Sequence, residues 1–213
     1  MIKGVIFDLD GTLLNSLDVW EKVDTLFLEK RGIEVTKDYS EALLHMRFIE
    51  AAHYTIDRYH LQETVDEVME EWMHLAKEMY STKVALKLGA KEFIMALKDK
   101  GYQLAILTSC HQELFEPCLR KYDLWKYFDV IVEANRVNMS KAQPEIYEYT
   151  LNKMNICADE CVFFDDVYSP LEIAKNLGIH IIAMNDPLSF DCKINTLTHH
   201  IINDFSNIKE VEL

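Results

Sequence analysis

The chain has 213 residues, of which 49% are apolar and 27% are charged, and its formal net charge at pH 7 is −14. A chain of this length and apolar content can bury a substantial core, either as one elaborated domain or as two small domains. The acidic balance disfavours sequence-independent binding to nucleic acid, which depends on basic surface that neutralises phosphates. Any phosphate site would therefore need local positive charge.

Neither a membrane span nor a signal peptide is predicted. No stretch reaches the roughly 18 uninterrupted apolar residues of a membrane helix, and the start, Met1 to Phe7, is too short for a signal peptide. We therefore expect a cytoplasmic protein with no membrane partner. The five cysteines form no CxxC pair and are odd in number, which favours buried reduced thiols over disulfides or a zinc site.

A short apolar run opens the chain and leads into the segment "FDLDGT", residues 7–12. The run predicts a strand over Ile2–Phe7. Two carboxylates, Asp8 and Asp10, follow this strand immediately before a glycine. The function of this acid pair is the first question that the sequence raises.

Helical spacing extends from Ser16 to about Tyr80. Apolar residues recur there at intervals of three and four, and Thr64 with Glu67 forms a possible capping box before one of the helices. An earlier helix has Ser16 as its predicted N-cap and Gly32 as its predicted C-terminal stop. The sequence therefore predicts an all-helical region directly after the first strand.

From Gly89 onward, short apolar runs alternate with helical patterns. The runs predict strands over residues 102–108, 128–134, 161–166 and 178–184. Continuous apolar strands separated by helices are typical of a parallel sheet covered on both faces. We predict an α/β fold with a doubly wound, parallel-sheet (Rossmann-like) core, comprising 1–15 and 88–213, and an all-helical domain, 16–87, inserted after the first strand.

Polar residues follow four of the predicted strands, where open parallel sheets bind their ligands. They are Asp8 and Asp10 after the first strand, Thr108 and Ser109 after the second, Lys141 in the connection after the third, and Asp165 and Asp166 after the fourth. Several carboxylates at one edge raise one another's pKa unless a cation lies among them. Mg²⁺ fits because it is held by one or two carboxylates together with phosphate oxygens and waters.

The first acid pair has two simpler explanations. A calcium loop fails, because counting from Asp8 puts Leu13 at the required glycine and Val19 at the required glutamate. Turn formation or helix capping is common for an aspartate before glycine and would account for Asp10 alone. It does not account for a second acid pair after another strand of the same sheet.

Four segments resemble the motifs of the haloacid dehalogenase-like hydrolase superfamily. They are "FDLDGTL" at 7–13, the strand end at Thr108 and Ser109, "SKAQPEIY" at 140–147 and "FFDD" at 163–166. The segments occur in the family's order, and the helical insertion resembles the cap of the subgroup that includes β-phosphoglucomutases and phosphoglycolate phosphatases. Two positions depart from the family pattern without touching a catalytic side chain: Ala142 replaces the usual proline, and Asn15 the usual acid.

The resemblance implies a Mg²⁺-dependent phosphatase that hydrolyses a small phosphorylated metabolite through an aspartyl-phosphate. Asp8 would be the nucleophile. Asp10 would protonate the leaving oxygen and then deprotonate the attacking water. Mg²⁺ would bind the Asp8 carboxylate, the Asp10 backbone carbonyl and Asp166, with Asp165 as a further candidate ligand.

The resemblance also implies a set of groups that hold the phosphoryl oxygens. These are the Lys141 ammonium, the Thr108 hydroxyl and the backbone N–H groups near Gly11 and Ser109. The alternative roles are a solvated surface lysine for Lys141 and a capping hydroxyl for Thr108.

Three other functions can be compared with phosphatase activity, each by one feature of the sequence. Dehalogenation is disfavoured because that branch of the family lacks the DxD acid pair. Phosphonate hydrolysis needs a lysine in the cap that forms a Schiff base, and the sequence leaves Lys77 and Lys83 open for that role. A non-catalytic regulatory or binding module would be expected to lose a motif acid or the motif lysine, and all are present.

A phosphosugar mutase of the β-phosphoglucomutase type is the closest alternative enzyme. The resembling mutases carry a gating histidine in the first cap helix, and an ungapped count places Trp20 there. His45 and His53 could replace it only if the fold brings them back. Arg47 is a candidate for binding the substrate's distal anion, with a surface arginine as the equal alternative. We expect a monomer or a weak homodimer.

Overall fold

The computed structural model describes residues 1–43, 46–189, 191–206 and 208, and the chain divides into two compact units. The first unit comprises Met1–Leu17 and the chain from Val84 onward, and the second comprises Asp18–Lys83. The predicted insertion, 16–87, spans the second unit and a few residues on either side. His45 lies outside the described residues.

The elements are numbered in chain order. They are β1 (Gly4–Phe7), β2 (Leu14–Asn15), α1 (Val19–Glu29), α2 (Lys37–Leu43), α3 (Phe48–Tyr59), α4 (Val65–Thr82), β3 (Ala85–Leu86), α5 (Ala90–Asp99), β4 (Gln103–Thr108), α6 (Gln112–Lys121), β5 (Val130–Glu133), α7 (Pro144–Met154), β6 (Cys161–Asp165), α8 (Tyr168–Asn176), β7 (His180–Met184) and β8 (Ile201–Ile202). The short 3₁₀ turns are Trp125–Tyr127, Ala158–Glu160 and Cys192–Thr196.

The first unit contains a six-stranded sheet in the order β5-β4-β1-β6-β7-β8, and every neighbouring pair is parallel. The strand order reverses around β1, which pairs with β4 on one side and with β6 on the other. This is the topology of a doubly wound α/β fold, so the predicted fold class is confirmed.

Side chains alternate between the two faces of the sheet, and each face packs against helices. Ile6 of β1 belongs to a buried cluster with Ile146 of α7 and Leu171 of α8. The next residue, Phe7, lies with its ring 6.2 Å from that of Phe93 in α5. Both faces of β1 are therefore buried, which explains why the strand is continuously apolar.

Short strands account for the differences from the prediction. The first strand begins at Gly4 rather than Ile2, and three strands of two residues each, β2, β3 and β8, were not predicted. A two-residue strand carries no detectable alternation of polar and apolar side chains. β2 and β3 pair antiparallel with each other, in a second sheet at the two places where the chain leaves and re-enters the first unit.

The second unit has four helices and, over its described residues, no strand, as the periodicity predicted. The capping box before α4 is confirmed, because the Thr64 hydroxyl accepts from the Glu67 N–H and the Glu67 carboxylate accepts from the Thr64 N–H. The predicted N-cap of α1 is wrong. Asp18 occupies that position, while the Ser16 hydroxyl donates to Asp10.

The prediction that the cysteines are buried is wrong for two of the five. Cys118 and Cys161 are buried and Cys110 is half-buried, but Cys157 and Cys192 are exposed; none of the five forms a disulfide. Both exposed cysteines lie at 3₁₀ turns, where no apolar periodicity distinguishes inner from outer positions. Among the described residues, no helix combines the length and apolarity that crossing a bilayer requires.

Asp24 in α1 generates a prediction about stability and pH. Burial raises the pKa of its carboxyl from 3.8 to about 7, and the nearby Glu21 adds to the shift. The folded chain therefore binds this proton more tightly than the unfolded chain, and stability is lost as the pH rises from about 4 to about 7. Relative to wild type, we expect the stability of Asp24→Asn to rise by about 2–4 kcal/mol between pH 4 and pH 8.

Urea unfolding of the two proteins at several pH values measures this difference. Asp57→Asn is the matched control, because Asp57 is exposed in the neighbouring helix α3 and should track wild type at every pH. An identical pH dependence for Asp24→Asn and Asp57→Asn would contradict the raised pKa of Asp24.

Candidate active site

The acids that follow β1 and those at the end of β6 meet at one edge of the sheet. β1 and β6 are neighbouring parallel strands, with Phe7 paired to Phe164 in register, so the residues after them lie side by side. Carboxylate oxygens of Asp8, Asp165 and Asp166 all lie within 4.8 Å of one another, and all three residues are buried. We call these three residues the acidic triad.

Aromatic packing below the edge fixes this register. The rings of Phe7 and Phe164 are stacked with their centroids 4.9 Å apart, and these residues directly precede Asp8 and Asp165. Phe205, close to the end of the described chain, packs on both rings at 6.2 and 5.8 Å. Because aromatic side chains supply large buried area and a preferred geometry, this cluster holds the ends of β1 and β6 in place.

Lys141 is the cation that the acidic triad contacts. Its Nζ donates to Asp8 Oδ1 at 2.5 Å and to Asp165 Oδ2 at 2.6 Å, and its side chain is only 11% exposed. Burial lowers the pKa of Lys141, but the two carboxylates outweigh it, so the net effect is a raised pKa. The lysine therefore stays charged, and the alternative of a solvated surface lysine is wrong.

One lysine does not neutralise three carboxylates. Burial raises the pKa of Asp8 well above its usual value; Lys141 lowers it, and the charges of Asp165 and Asp166 raise it again. Of the Asp165 oxygens, Oδ2 accepts from Lys141 and Oδ1 accepts from the Val167 N–H at 2.8 Å. The excess negative charge is therefore concentrated on Asp8 and Asp166, and a second cation would relieve it.

Asp166 carries the most direct sign of a missing partner. Its Oδ1 accepts from the Thr12 hydroxyl at 3.2 Å, whereas its Oδ2 is buried and has no hydrogen-bond partner among the described residues. Burial, followed by the charge of Asp165, raises the pKa of Asp166 to about 6. A buried carboxylate oxygen without a donor is costly, and a hard divalent cation such as Mg²⁺ is a ligand that would satisfy it.

Gly11 lets the first loop approach Asp166 this closely. Its φ of +80° is in the left-handed region, and a Cβ placed on it would lie 2.3 Å from Asp166 Oδ2. Only glycine combines that backbone conformation with the absence of a side chain. The glycine of the first motif therefore has a steric function beside the second acid pair.

Asp10 lies apart from the acidic triad. Its carboxylate is not among the grouped oxygens, and its Oδ1 accepts from the Ser16 hydroxyl at 2.5 Å. From the sequence, the backbone carbonyl of Asp10 is the expected metal ligand and its carboxylate the expected proton-transfer group. Ser16, taken from the sequence as a helix cap, instead orients this carboxylate.

Thr108 and Ser109 lie at the end of β4, beside β1. Thr108 is buried and its hydroxyl accepts from the Cys110 N–H at 3.0 Å, which is a turn contact rather than a helix cap, because α6 has His111 as its N-cap. That contact leaves the hydroxyl proton available for a ligand. Ser109 is exposed, and its backbone carbonyl accepts from the Asn135 amide at 3.4 Å.

Two candidate residues of the second unit have local partners. Arg47 is the N-cap of α3, its side chain is 80% exposed, and its guanidinium donates to Glu50 at 2.5 and 2.9 Å. Trp20 is 38% exposed, with its ring 5.5 Å from that of Phe48. Within its own unit, Arg47 therefore matches the description of a surface arginine that caps a helix.

Lys77 and Lys83, which the sequence left open as Schiff-base lysines, are both exposed. A lysine becomes nucleophilic when it is desolvated in an apolar pocket or lies next to another cation. Neither residue has the desolvated setting, so the structure offers no support for phosphonate hydrolysis.

Comparisons with known proteins agree with this geometry. The family profile described as haloacid dehalogenase-like hydrolase matches residues 5–184. The chain is 28% identical over 178 residues to the phosphorylated carbohydrates phosphatase of Thermotoga maritima, covering 84% of this chain and 82% of that protein. It is 24% identical over 217 residues to hexitol phosphatase B of Escherichia coli, covering 95% and 96%.

Among solved structures, a provisionally named β-phosphoglucomutase from Thermotoga maritima is similar to this chain. The two chains share 26% sequence identity and superpose with a TM-score of 0.84, covering 94% of each. The similarity includes both the sheet that carries the acidic triad and the helical insertion.

The close approach of Gly11 to Asp166 generates a prediction about stability. Gly101→Ala is the matched control, because Gly101 has a similar φ of +84° but no atom within 4 Å of an added Cβ. The left-handed backbone alone should cost Gly101→Ala about 1–2 kcal/mol. Gly11→Ala should cost about 1–3 kcal/mol more, because Asp166 has to move. Equal unfolding free energies of the two variants in urea would show that this contact is not a steric constraint.

Proposed function

The chain belongs to the haloacid dehalogenase-like hydrolase family, and from this premise we propose that it is a Mg²⁺-dependent phosphatase acting on a small phosphorylated metabolite. The observation that carries the proposal is the acidic triad with one charged lysine, in which Asp166 Oδ2 has no partner among the described residues. Three buried carboxylates with one cation are poorly balanced alone, but they suit a site that also receives Mg²⁺ and a phosphate group.

The donor set fits Mg²⁺. Asp8 and Asp166 would hold it, together with the backbone carbonyl of Asp10, whereas Asp165 uses both oxygens on Lys141 and the Val167 N–H. Bound there, Mg²⁺ would offset the repulsion between an anionic nucleophile and an anionic phosphate. The nucleophilic attack and the proton transfers are assigned to Asp8 and Asp10.

In the first step, a carboxylate oxygen of Asp8 attacks phosphorus in line with the leaving oxygen. The P–O bond to Asp8 forms as the ester P–O bond breaks, and Asp10 gives its proton to the departing alkoxide. In the second step, Asp10 takes a proton from water, whose oxygen attacks the same phosphorus and releases Asp8. The Ser16 hydroxyl, hydrogen-bonded to Asp10, keeps that carboxylate oriented through both steps.

The phosphoryl oxygens need donors that are already in place. Lys141 can share its protons between the triad and a phosphate, since an ammonium has three donors. The Thr108 hydroxyl and the N–H groups near Gly11 and Ser109 would complete the set. Together with bound Mg²⁺, the Lys141 ammonium would supply the local positive charge that a phosphate needs in a chain with a net charge of −14.

The substrate class is proposed from the relatives and from the division of the chain. We assign residues 1–15 and 88–213 to the hydrolase core and 16–87 to a cap that selects the leaving group, with Trp20 and Arg47 as its candidate specificity residues. Two relatives are named for phosphatases of phosphorylated carbohydrates and hexitols, so sugar or polyol phosphates are the first class to test. We expect a monomer or a weak homodimer.

Transfer to a second sugar phosphate is the alternative reaction, because one structure similar to this chain is a provisionally named β-phosphoglucomutase. A mutase must keep its aspartyl-phosphate from water until substrate closes the site. Trp20 offers only an indole N–H at the position of the mutase histidine, and its ring contacts Phe48. This favours water as the acceptor.

Asp8 and Asp10 have separate functions in this mechanism, so substituting each should give a different result. With Mg²⁺ and an aryl phosphate that has a good leaving group, Asp10→Asn should still transfer phosphoryl to Asp8 but hydrolyse it slowly. Rapid quench should therefore trap about one phosphoryl group per chain, with turnover reduced by roughly 10²–10⁴-fold. Asp8→Asn is the matched control and should trap none, and EDTA should abolish wild-type activity. Normal turnover by either variant would contradict its assigned function.

The choice between phosphatase and mutase is tested with β-glucose 1-phosphate and other hexose phosphates. Wild-type protein with Mg²⁺ should release inorganic phosphate from the sugars that it accepts, without accumulating the isomeric 6-phosphate. Coupled assays for phosphate and for glucose 6-phosphate measure both products in one sample. Efficient isomerisation with little phosphate release would make the chain a mutase.

A further inference from the structure

A buried ion pair outside the acidic triad joins two distant segments of the first unit. Lys87 follows β3, Asp186 follows β7, and the Lys87 ammonium donates to Asp186 Oδ2. The two side chains are only 8% and 9% exposed. Apolar side chains of similar volume often stabilise a core as well as a buried ion pair does. In some proteins, a buried ion pair instead specifies one conformation.

Lys87 is hydrogen-bonded through its backbone to the loop of the first motif. Its backbone N–H donates to the carbonyl of Leu13 at 2.9 Å, and β3 pairs with β2 directly after that residue. The same loop contains Thr12, whose hydroxyl donates to Asp166 Oδ1. Lys87 thus connects through the backbone to a side chain that contacts the acidic triad.

Asp186, the other member of the ion pair, is hydrogen-bonded within the loop that follows β7. Its Oδ1 accepts from the Leu188 N–H at 2.9 Å, and its backbone carbonyl accepts from the Ser189 N–H at 3.2 Å. These two bonds fold the chain into a tight turn that ends at Ser189. The turn is held to the rest of the unit by the ion pair with Lys87.

Ser189 brings this second loop to the acidic triad. The Ser189 hydroxyl lies near enough to the Asp166 carboxylate to interact with it. Ser189 Oγ and Asp166 Oδ2 are both buried, and neither has a hydrogen-bond partner of good geometry in the described chain. A hydroxyl beside a carboxylate oxygen can donate to it after a small rotation, so Ser189 is placed to orient Asp166.

We propose that Lys87 and Asp186 are positioning residues for the cation site and that Ser189 is the hydroxyl through which they act on Asp166. Asp166 lies between two loops, one contributing Thr12 and the other Ser189, and the ion pair ties these loops to each other. The inference rests on the proposed function, because it assumes that Asp166 binds Mg²⁺. Groups that orient a metal ligand typically change metal affinity 10- to 100-fold when they are removed.

The test measures cation binding rather than activity. Free Mn²⁺ is followed by electron paramagnetic resonance as protein is added, and Mg²⁺ competition then gives the Mg²⁺ affinity. The main variant is Lys87→Met with Asp186→Leu, which removes both charges and leaves no unpaired buried ion. Ser189→Ala is the second variant and removes one exchangeable hydroxyl without disturbing the ion pair. Lys98→Met is the matched control, since Lys98 pairs with Asp129.

We expect the double variant to bind Mn²⁺ and Mg²⁺ about 10-fold or more weakly, Ser189→Ala about 3- to 10-fold more weakly, and Lys98→Met as wild type does. If the double variant does not fold, Ser189→Ala decides the question, and wild-type affinity in that variant would overturn the inference. Wild-type affinity in a folded double variant would overturn it equally. If wild type itself binds neither cation, the proposed function fails, and the inference fails with it.

Discussion

Three carboxylates and one ammonium buried at the end of adjacent strands are the constraint on which the rest of this structure depends. Asp8, Asp165 and Asp166 bring their oxygens within 4.8 Å of one another, and Lys141 bridges two of them. Burying like charges together is unfavourable unless each has a partner. The fold supplies a partner for Asp8 and for both oxygens of Asp165, but leaves Asp166 Oδ2 without one among the described residues.

Three features of the surrounding structure hold these charged groups in place. The parallel register of β1 and β6 sets the acids side by side, and the stacked rings of Phe7 and Phe164 fix that register from below. Gly11 allows the first loop to pass within contact distance of Asp166. In the proposed mechanism these groups have to be in place before the substrate arrives, so this rigid support would contribute to the chemistry.

The fold class predicted from the sequence is confirmed, and the sequence also named the acidic triad and Lys141 as candidates, because both inferences depend on patterns that are local or repeated. Apolar runs of four or more residues identified the long strands, whereas β2, β3 and β8 are too short to produce a pattern. The capping contact of Arg47 with Glu50 has an i, i+3 spacing and could have been inferred from the sequence. The same spacing at Thr64 and Glu67 was recognised correctly.

Contacts between segments that are distant in the chain could not be predicted from the sequence. No local pattern pairs Lys87 with Asp186, or places Ser16 on Asp10 rather than at the start of a helix. The position of Thr12 within the first motif was known, but its contact with Asp166 depends on how β1 and β6 pair. Such contacts follow from topology, since loops far apart in the chain meet at one edge of a sheet.

The most direct test of this account is a crystal structure of the protein with Mg²⁺ and beryllium fluoride, which mimics a phosphoryl group on a carboxylate. The account predicts beryllium bonded to a carboxylate oxygen of Asp8 and Mg²⁺ bound by Asp8 and Asp166. It also predicts that Lys141 donates to a fluoride while keeping its contact with Asp165. Beryllium bonded to another side chain, or a cation bound away from Asp166 Oδ2, would contradict the account.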